Sequence, residues 1–434
     1  MDHRNQANVK IMLSFVTLRL SLYYINSLLR KIKDLLILLP GRIKKMNIYV
    51  KRFLLFCLVS IFCSSLYAQD KRKHSFGDGI RLLSADSTFG MRFSVRIQSL
   101  YQGELNLETD EYIDGFQVRR SRLKFDGFAY SPRLKYKIEL AIANSDTRSG
   151  AIPQSGNTAS IVLDAYLTWN FYRNWSLVFG QKKLPGNRER VISSQNLQFV
   201  DRSNLNSRYN IDRDAGFQLL YNADKVNLVG ALSIGEGRNM TIENVGGYDY
   251  TVRGEYLPFG QFTDDGDYFG SDLVREPSPK LSMGLTYDYN DGASRAGGQL
   301  GEFLPARRDL NSIFADAHFK YRGFSSMIEY VSKTTPDGPV VNDADGSFMD
   351  AFYTGEGFNG QAGYLFKNNL EIAGRYTRVT PEAITGREQN TQYTLGVSRY
   401  FVGHNLKVQS DVTFIEEHNS DDLLMCRLQV ELAF

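Results

Sequence analysis

The chain has 434 residues, a formal net charge of +3, 25 Tyr and 28 Phe against 2 Trp, and 37 Gly against 11 Pro. That balance favours strands and turns over helices. Beyond residue 69 no run of 18 apolar residues occurs, which excludes a bundle of membrane-spanning helices.

Residues 46–69 read as an export leader. Lys51 and Arg52 precede an apolar run from Phe53 to about Ile61, and Leu66-Tyr67-Ala68 offers a cleavage site. Residues 1–45 then read as an upstream extension from a mis-assigned start, and 70–87 as an N-terminal periplasmic segment before a barrel at 88–434. Residues 1–69 carry 11 of the 51 cations and 2 of the 48 acids, so the remainder holds 40 cations against 46 acids, a net −6. No nucleic-acid partner is expected from that balance. Cys57 and Cys63 fall in the leader, so Cys426 alone remains and no internal disulfide can form.

From residue 88 onward, alternation persists. In 88–107, Met91, Phe93, Val95, Ile97 and Tyr101 oppose Arg92, Ser94, Arg96 and Gln98. In 134–145, Tyr136, Ile138, Leu140 and Ile142 oppose Lys135, Lys137 and Glu139. In 160–171, Ile161, Leu163, Ala165, Leu167, Trp169 and Phe171 oppose Asp164, Tyr166, Thr168 and Asn170. A period of two over about ten residues, with one apolar and one polar face, is the pattern of an outer-membrane strand. A soluble sandwich has shorter strands, and a β-helix would show a short internal repeat, which is absent. The remaining candidates are 113–128, 174–183, 213–222, 225–236, 248–259, 279–289, 311–321, 324–334, 357–366, 369–379, 389–401, 405–417 and 422–434. They complete sixteen, an even number that can close antiparallel. Short turns alternate with long polar loops at 146–159, 184–212, 237–247, 290–310 and 335–356. The connection 260–278 falls where a short turn belongs, and only a local periplasmic excursion is expected there. The ending "CRLQVELAF" puts Leu428, Val430, Leu432 and Phe434 on one face, suited to pairing with the first strand and removing both edges.

The segment 114–128, "DGFQVRRSRLKFDGF", places Arg120, Arg122 and Lys124 on one face and Ser121, Leu123 and Phe125 on the other. A cation aimed at lipid near the midplane costs roughly 2–4 kcal/mol, so the three belong in the lumen. Arg119 has the opposite parity and is expected to reach polar headgroups. With Arg92 and Arg96 these residues form a column able to hold anions at several shallow sites. Alternatively, they offset lumen acids such as Glu139 and Asp164 in a nonselective pore. The loop after the fifth strand, near 30 residues, is long enough to be functional.

The motifs "RRSRLKFDG" with "YKIEL", "GQKKLPGNRERVISS" with "FVDRS", and the aromatic C-terminus together resemble the phosphate-selective porin O and P family, over most of 88–434. The resemblance implies an all-β, sixteen-stranded transmembrane barrel whose third outer loop folds inward. It also implies a homotrimer, an arginine ladder (Arg92, Arg96, Arg120, Arg122, Lys124) and an anion-binding constriction. Matched by position, Arg190 stands where the family has a lysine, Ser193 and Ser194 match a serine pair, and Arg202 lies in "DRS", with Arg188 beside them. The partners implied are small anions, phosphate or related oxyanions, together with outer-membrane lipid. The competing expectation is a general or carbohydrate-permeable porin. Neither a cofactor nor a metal is expected, because His74, His318, His404 and His418 are scattered. No G-x-S-x-G, H-E-x-x-H or P-loop motif points to an enzyme.

Overall fold

A computed structural model describes residues 76–147, 160–240, 244 and 246–434. The leader at 46–69, the extension before it and most of the 146–159 loop lie outside the described residues. In chain order the strands are β1 (Ile80–Leu83), β2 (Phe89–Asn106), β3 (Tyr112–Ala129), β4 (Ser131–Ala141), β5 (Val162–Tyr172), β6 (Trp175–Lys183) and β7 (Arg213–Asn222). They continue as β8 (Val226–Ser233), β9 (Asp249–Tyr256), β10 (Lys280–Arg295), β11 (Phe303–Tyr321), β12 (Phe324–Thr334), β13 (Val340–Asn342) and β14 (Phe348–Ala351). The last are β15 (Gly355–Leu365), β16 (Leu370–Pro381), β17 (Asn390–Val402), β18 (Leu406–Glu417) and β19 (Leu423–Ala433).

Each strand from β2 to β12 and from β15 to β19 pairs antiparallel with its neighbours, and β19 pairs with β2, so sixteen strands close into a barrel. The closing ladder runs from Leu423 opposite Asn106 to Ala433 opposite Arg96. Phe434 extends it by exchanging two backbone hydrogen bonds with Val95, at 2.7 and 3.0 Å. Below that point β1 pairs with Gly90–Phe93 of β2. The hairpin β13–β14 stands apart, inside the loop between β12 and β15.

The faces are inverted relative to a soluble protein. Phe116, Trp169, Phe179, Leu285 and Leu395 point outward and are exposed, whereas Arg188, Lys320, Lys333 and Lys407 are among the largest fully buried side chains. Apolar groups outside and polar groups inside suit a wall between lipid and a polar lumen. Aromatic partners such as Phe93 with Phe125 and Phe179 with Phe217, ring centroids 4.9 Å apart, add cross-strand packing on the outer face. No helix among the described residues is long and apolar enough to cross a membrane.

Three expectations about the barrel wall need correction. The register between β2 and β3 slips, Gln98 facing Arg120 and Ser99 facing Val118. This bulge turns Arg119 toward the lumen, where its Nε donates to Asp201 at 2.9 Å. A slip between β4 and β5 likewise buries Leu163, which simple alternation assigns to the lipid face. The 290–310 loop is mostly strand: β10 and β11 keep pairing through Arg295 opposite Phe303, across two irregularities. Its polar "NDGAS" reads as a turn, yet strands beyond the bilayer need no apolar face.

Candidate functional site

The β6–β7 loop, 184–212, enters the barrel because its backbone and side chains bond to inward-facing groups around much of the wall. Arg253 donates to Gly186 O (3.0 Å) and Thr286 to Pro185 O (3.0 Å). Glu329 accepts from Glu189 N (2.6 Å), and Gln198 Nε2 donates to Ser325 and Glu371, both at 2.8 Å. On the next strands, Lys407 donates to Gln195 O (2.7 Å), and Asp411 accepts from Val200 N (3.2 Å). On β2, past the closing strand β19, Arg96 donates to Ser194 Oγ at 2.8 Å. The wall makes room for the loop: a Cβ at Gly396 would sit 2.9 Å from the Phe199 ring. Within the loop two short helices form, α1 (Arg188–Val191) and α2 (Asn204–Tyr209). Ser203 caps α2 and donates to Glu189 at 2.5 Å, tying the helices together.

The 260–278 connection is no loose excursion. It folds back into the periplasmic end of the lumen beneath the loop, with Ser271, Asp272 and Glu276 buried. Gly270 N donates to Asn196 O at 2.7 Å, Ser271 Oγ reaches Glu371 and Tyr400 at 2.6 Å, and Lys320 donates to Ser271 O at 2.7 Å. Its Asp267 meets Arg188 at 3.4 Å. Loop and connection together fill the lumen beside β9 to β18. The signal missed in the sequence was a 19-residue connection at a turn position whose buried polar atoms need partners.

Arg188 is fully enclosed. Its guanidinium meets Glu255 (2.9 Å), Asp316 (3.1 Å) and Asp267, donates to Ser282 (2.7 Å), and lies 5.3 Å from the Tyr268 ring centre. It anchors the loop to β9–β11 and shows no face to open lumen.

Arg190 and Arg202 stand on the opposite side of the loop, toward β3–β7. The Arg190 Nε donates to Asp212 Oδ1 at 2.9 Å, and one of its terminal nitrogens reaches the same oxygen. Arg213 lies 3.6 Å from that oxygen and bonds Asp164 at 2.6 Å, while Lys137 bonds Asp164 at 2.5 Å. The result is a chain of alternating charge from β4 to the loop. Arg202 donates to Glu189 O (2.9 Å) and Ile192 O (2.7 Å), and Lys183 donates to Arg190 O at 2.7 Å. Among the described residues neither has a carboxylate within ion-pair distance. Burial, with Arg190 and Arg120 close by, pushes the Arg202 guanidinium well below its ordinary range. Ser194 is buried against Arg96, whereas Ser193 is exposed.

The ladder cations line β2 and β3 from the periplasmic end up to the loop, and each has an acid. Arg92 pairs with Asp126 (2.9 Å), Lys124 with Asp126 (3.2 Å) and Arg96 with Glu431 (2.5 Å). Arg120 pairs with Asp201 (2.8 Å), and Arg122 with Glu139 (2.9 Å) and Asp146 (2.7 Å). Burial opposes ionisation of Asp201, but Arg120 and Arg119 hold its carboxyl well below the usual range.

A closed sixteen-strand wall, an inward loop and a charged lumen describe a diffusion channel. Residues 92–423 match the family of phosphate-selective porins O and P. The chain belongs to that family. The porin therefore resides in the outer membrane of a gram-negative bacterium. Among solved structures it is similar to the loop L8 deletion mutant of OmpT, an outer membrane protein of Vibrio cholerae, at 13% identity and TM-score 0.52. That likeness covers 80% of this chain and 100% of that one. It is also similar to the outer membrane channel DcaP of Acinetobacter baumannii, at 13% identity and TM-score 0.51, covering 81% and 99%. At such identities the likeness is one of fold. No curated protein matches the sequence.

Proposed function

We propose that the porin passes small anions down their gradient, with phosphate or related oxyanions as preferred solutes. The supporting observation is the charge balance at the constriction: Arg202 and Lys183, bonded only to backbone carbonyls, stand beside the Arg190–Asp212 pair. An excess of cations in a partly dehydrated passage attracts anions, and guanidinium forks suit phosphate oxygens. The ladder below would conduct such an anion through Arg96 and Arg122 toward Lys124 and Arg92, each pair loosening as the anion passes. On this reading residues 46–69 are the export leader and three barrels assemble, as the family resemblance implies. A general porin is the competing function, and it draws on the acid paired with every ladder cation.

Planar-bilayer recording separates the two. The reversal potential in a KCl gradient should show anion preference, and inorganic phosphate should block chloride current. Cation preference without phosphate block would discard the proposal. Arg190→Glu should shift selectivity toward cations far more than Arg133→Glu, which alters an exposed residue beside the periplasmic turn. Equal shifts would remove Arg190 from the constriction.

A further inference from the structure

Arg190 already holds an anion, and it belongs to the chain. We infer that Asp212 is a resident competitor for solute anions, exchanging with each one at Arg190 and so setting how tightly the constriction binds. The inference rests on the anion-preferring reading above.

Three observations carry it. A single oxygen, Oδ1 of Asp212, takes the Arg190 Nε hydrogen bond at 2.9 Å and faces Arg213 at 3.6 Å. This is the charge-assisted contact an oxyanion would make. The Asp212 backbone is pinned, because its carbonyl accepts from Leu184 N (3.0 Å) and the next residue is locked to Asp164 (2.6 Å). The Arg190 side chain keeps 17% exposure against 5% for Asp212, so the guanidinium offers the accessible edge. Lys183 and Arg202 lie within electrostatic reach of Arg190, and among the described residues neither has a carboxylate within ion-pair distance.

Without Asp212, Arg190, Arg213, Lys183 and Arg202 would form a deep trap for a divalent oxyanion. A channel conducts only if the ion also leaves. A tethered carboxylate competes at constant local concentration, weakening the site without abolishing it. Asp164 and Asp201 are less suited to this role: Asp164 is clamped between Lys137 and Arg213, and Asp201 between Arg119 and Arg120.

The test uses the full-length porin in planar bilayers, with inorganic phosphate blocking chloride current. Asp212→Asn and Asp212→Ser should lower the half-blocking phosphate concentration at least ~10-fold, since a competing charge in contact with the site is removed. Blocked intervals should lengthen accordingly. Block that is unchanged or weaker, in variants that still migrate as heat-modifiable folded barrels, overturns the inference and leaves Asp212 as a positioning residue for Arg190. Should the single variants not fold, Arg190→Gln/Asp212→Asn removes both charges of the pair. It should then be blocked more tightly than Arg190→Gln alone, because Lys183, Arg202 and Arg213 no longer face the Asp212 charge, and equal or weaker block again overturns the idea. A wild-type channel with cation preference and no phosphate block removes the anion reading and this inference together. A blockable wild type with unresponsive variants removes this inference only.

Discussion

On the β9–β18 side of the lumen charge is sealed in, whereas at the periplasmic end of β2 and β3 it stays wet. Arg188 has no exposed side-chain surface, and its acids Glu255, Asp267 and Asp316 show 5% or less. Across the barrel Arg92 is 38% exposed and Lys124 33%, with Asp126 at 24% between them. Both regions pair cations with acids, so pairing alone does not distinguish a strut from a conduit. Access to water does. A buried pair tolerates no missing partner, because the remaining charge has lost its hydration. An exposed pair opens and closes at small cost and can exchange with a passing ion.

Replacing Arg188 should therefore have the largest effect on stability. Arg188→Ala leaves three buried acids with less compensation, and a loss of about 3–5 kcal/mol is expected in urea unfolding of the detergent-folded barrel. A loss below about 1 kcal/mol would show that water reaches the filled side and would break the contrast. A smaller effect of the same origin concerns pH. Burial, together with Lys407 and Lys320, holds the His404 imidazole well below its ordinary range in the turn between β17 and β18. The folded porin thus keeps His404 neutral while the unfolded chain protonates it near pH 6.5. Stability from this group is complete above that pH and declines as pH falls, by up to about 1.4 kcal/mol per unit. His404→Phe should flatten the slope of unfolding free energy below pH 6.5, and an unchanged slope would assign it to other groups. The smallest effect is expected on the wet side. Arg92→Gln should change stability by only about 0–1 kcal/mol, while still moving the KCl reversal potential toward cations. A stability loss comparable to that of Arg188→Ala would erase the distinction between the two sides.

Reading by parity succeeded where structure is local. The run Arg120, Arg122, Lys124 faces inward because alternate side chains of one strand must, and the wall excludes cations from lipid. It failed at Arg119 and Leu163, where one extra residue reverses the count and the strand's own sequence does not mark the place. The 260–278 connection failed for another reason. Its length was visible, but its destination depends on acceptors such as Glu371 and Asn196, which are distant in the chain.

The sequence by itself determined the sixteen strands, the polarity of their two faces and the closing contact at Phe434, since a two-residue period and a membrane's intolerance of open edges act on short segments. Only the tertiary structure decided which cations are sealed and which are wet. Arg96 finds Glu431 across 335 positions and Arg188 finds Asp316 across 128. Such partners meet only after the wall has closed and the loop has chosen the side it fills, and no local pattern encodes that choice.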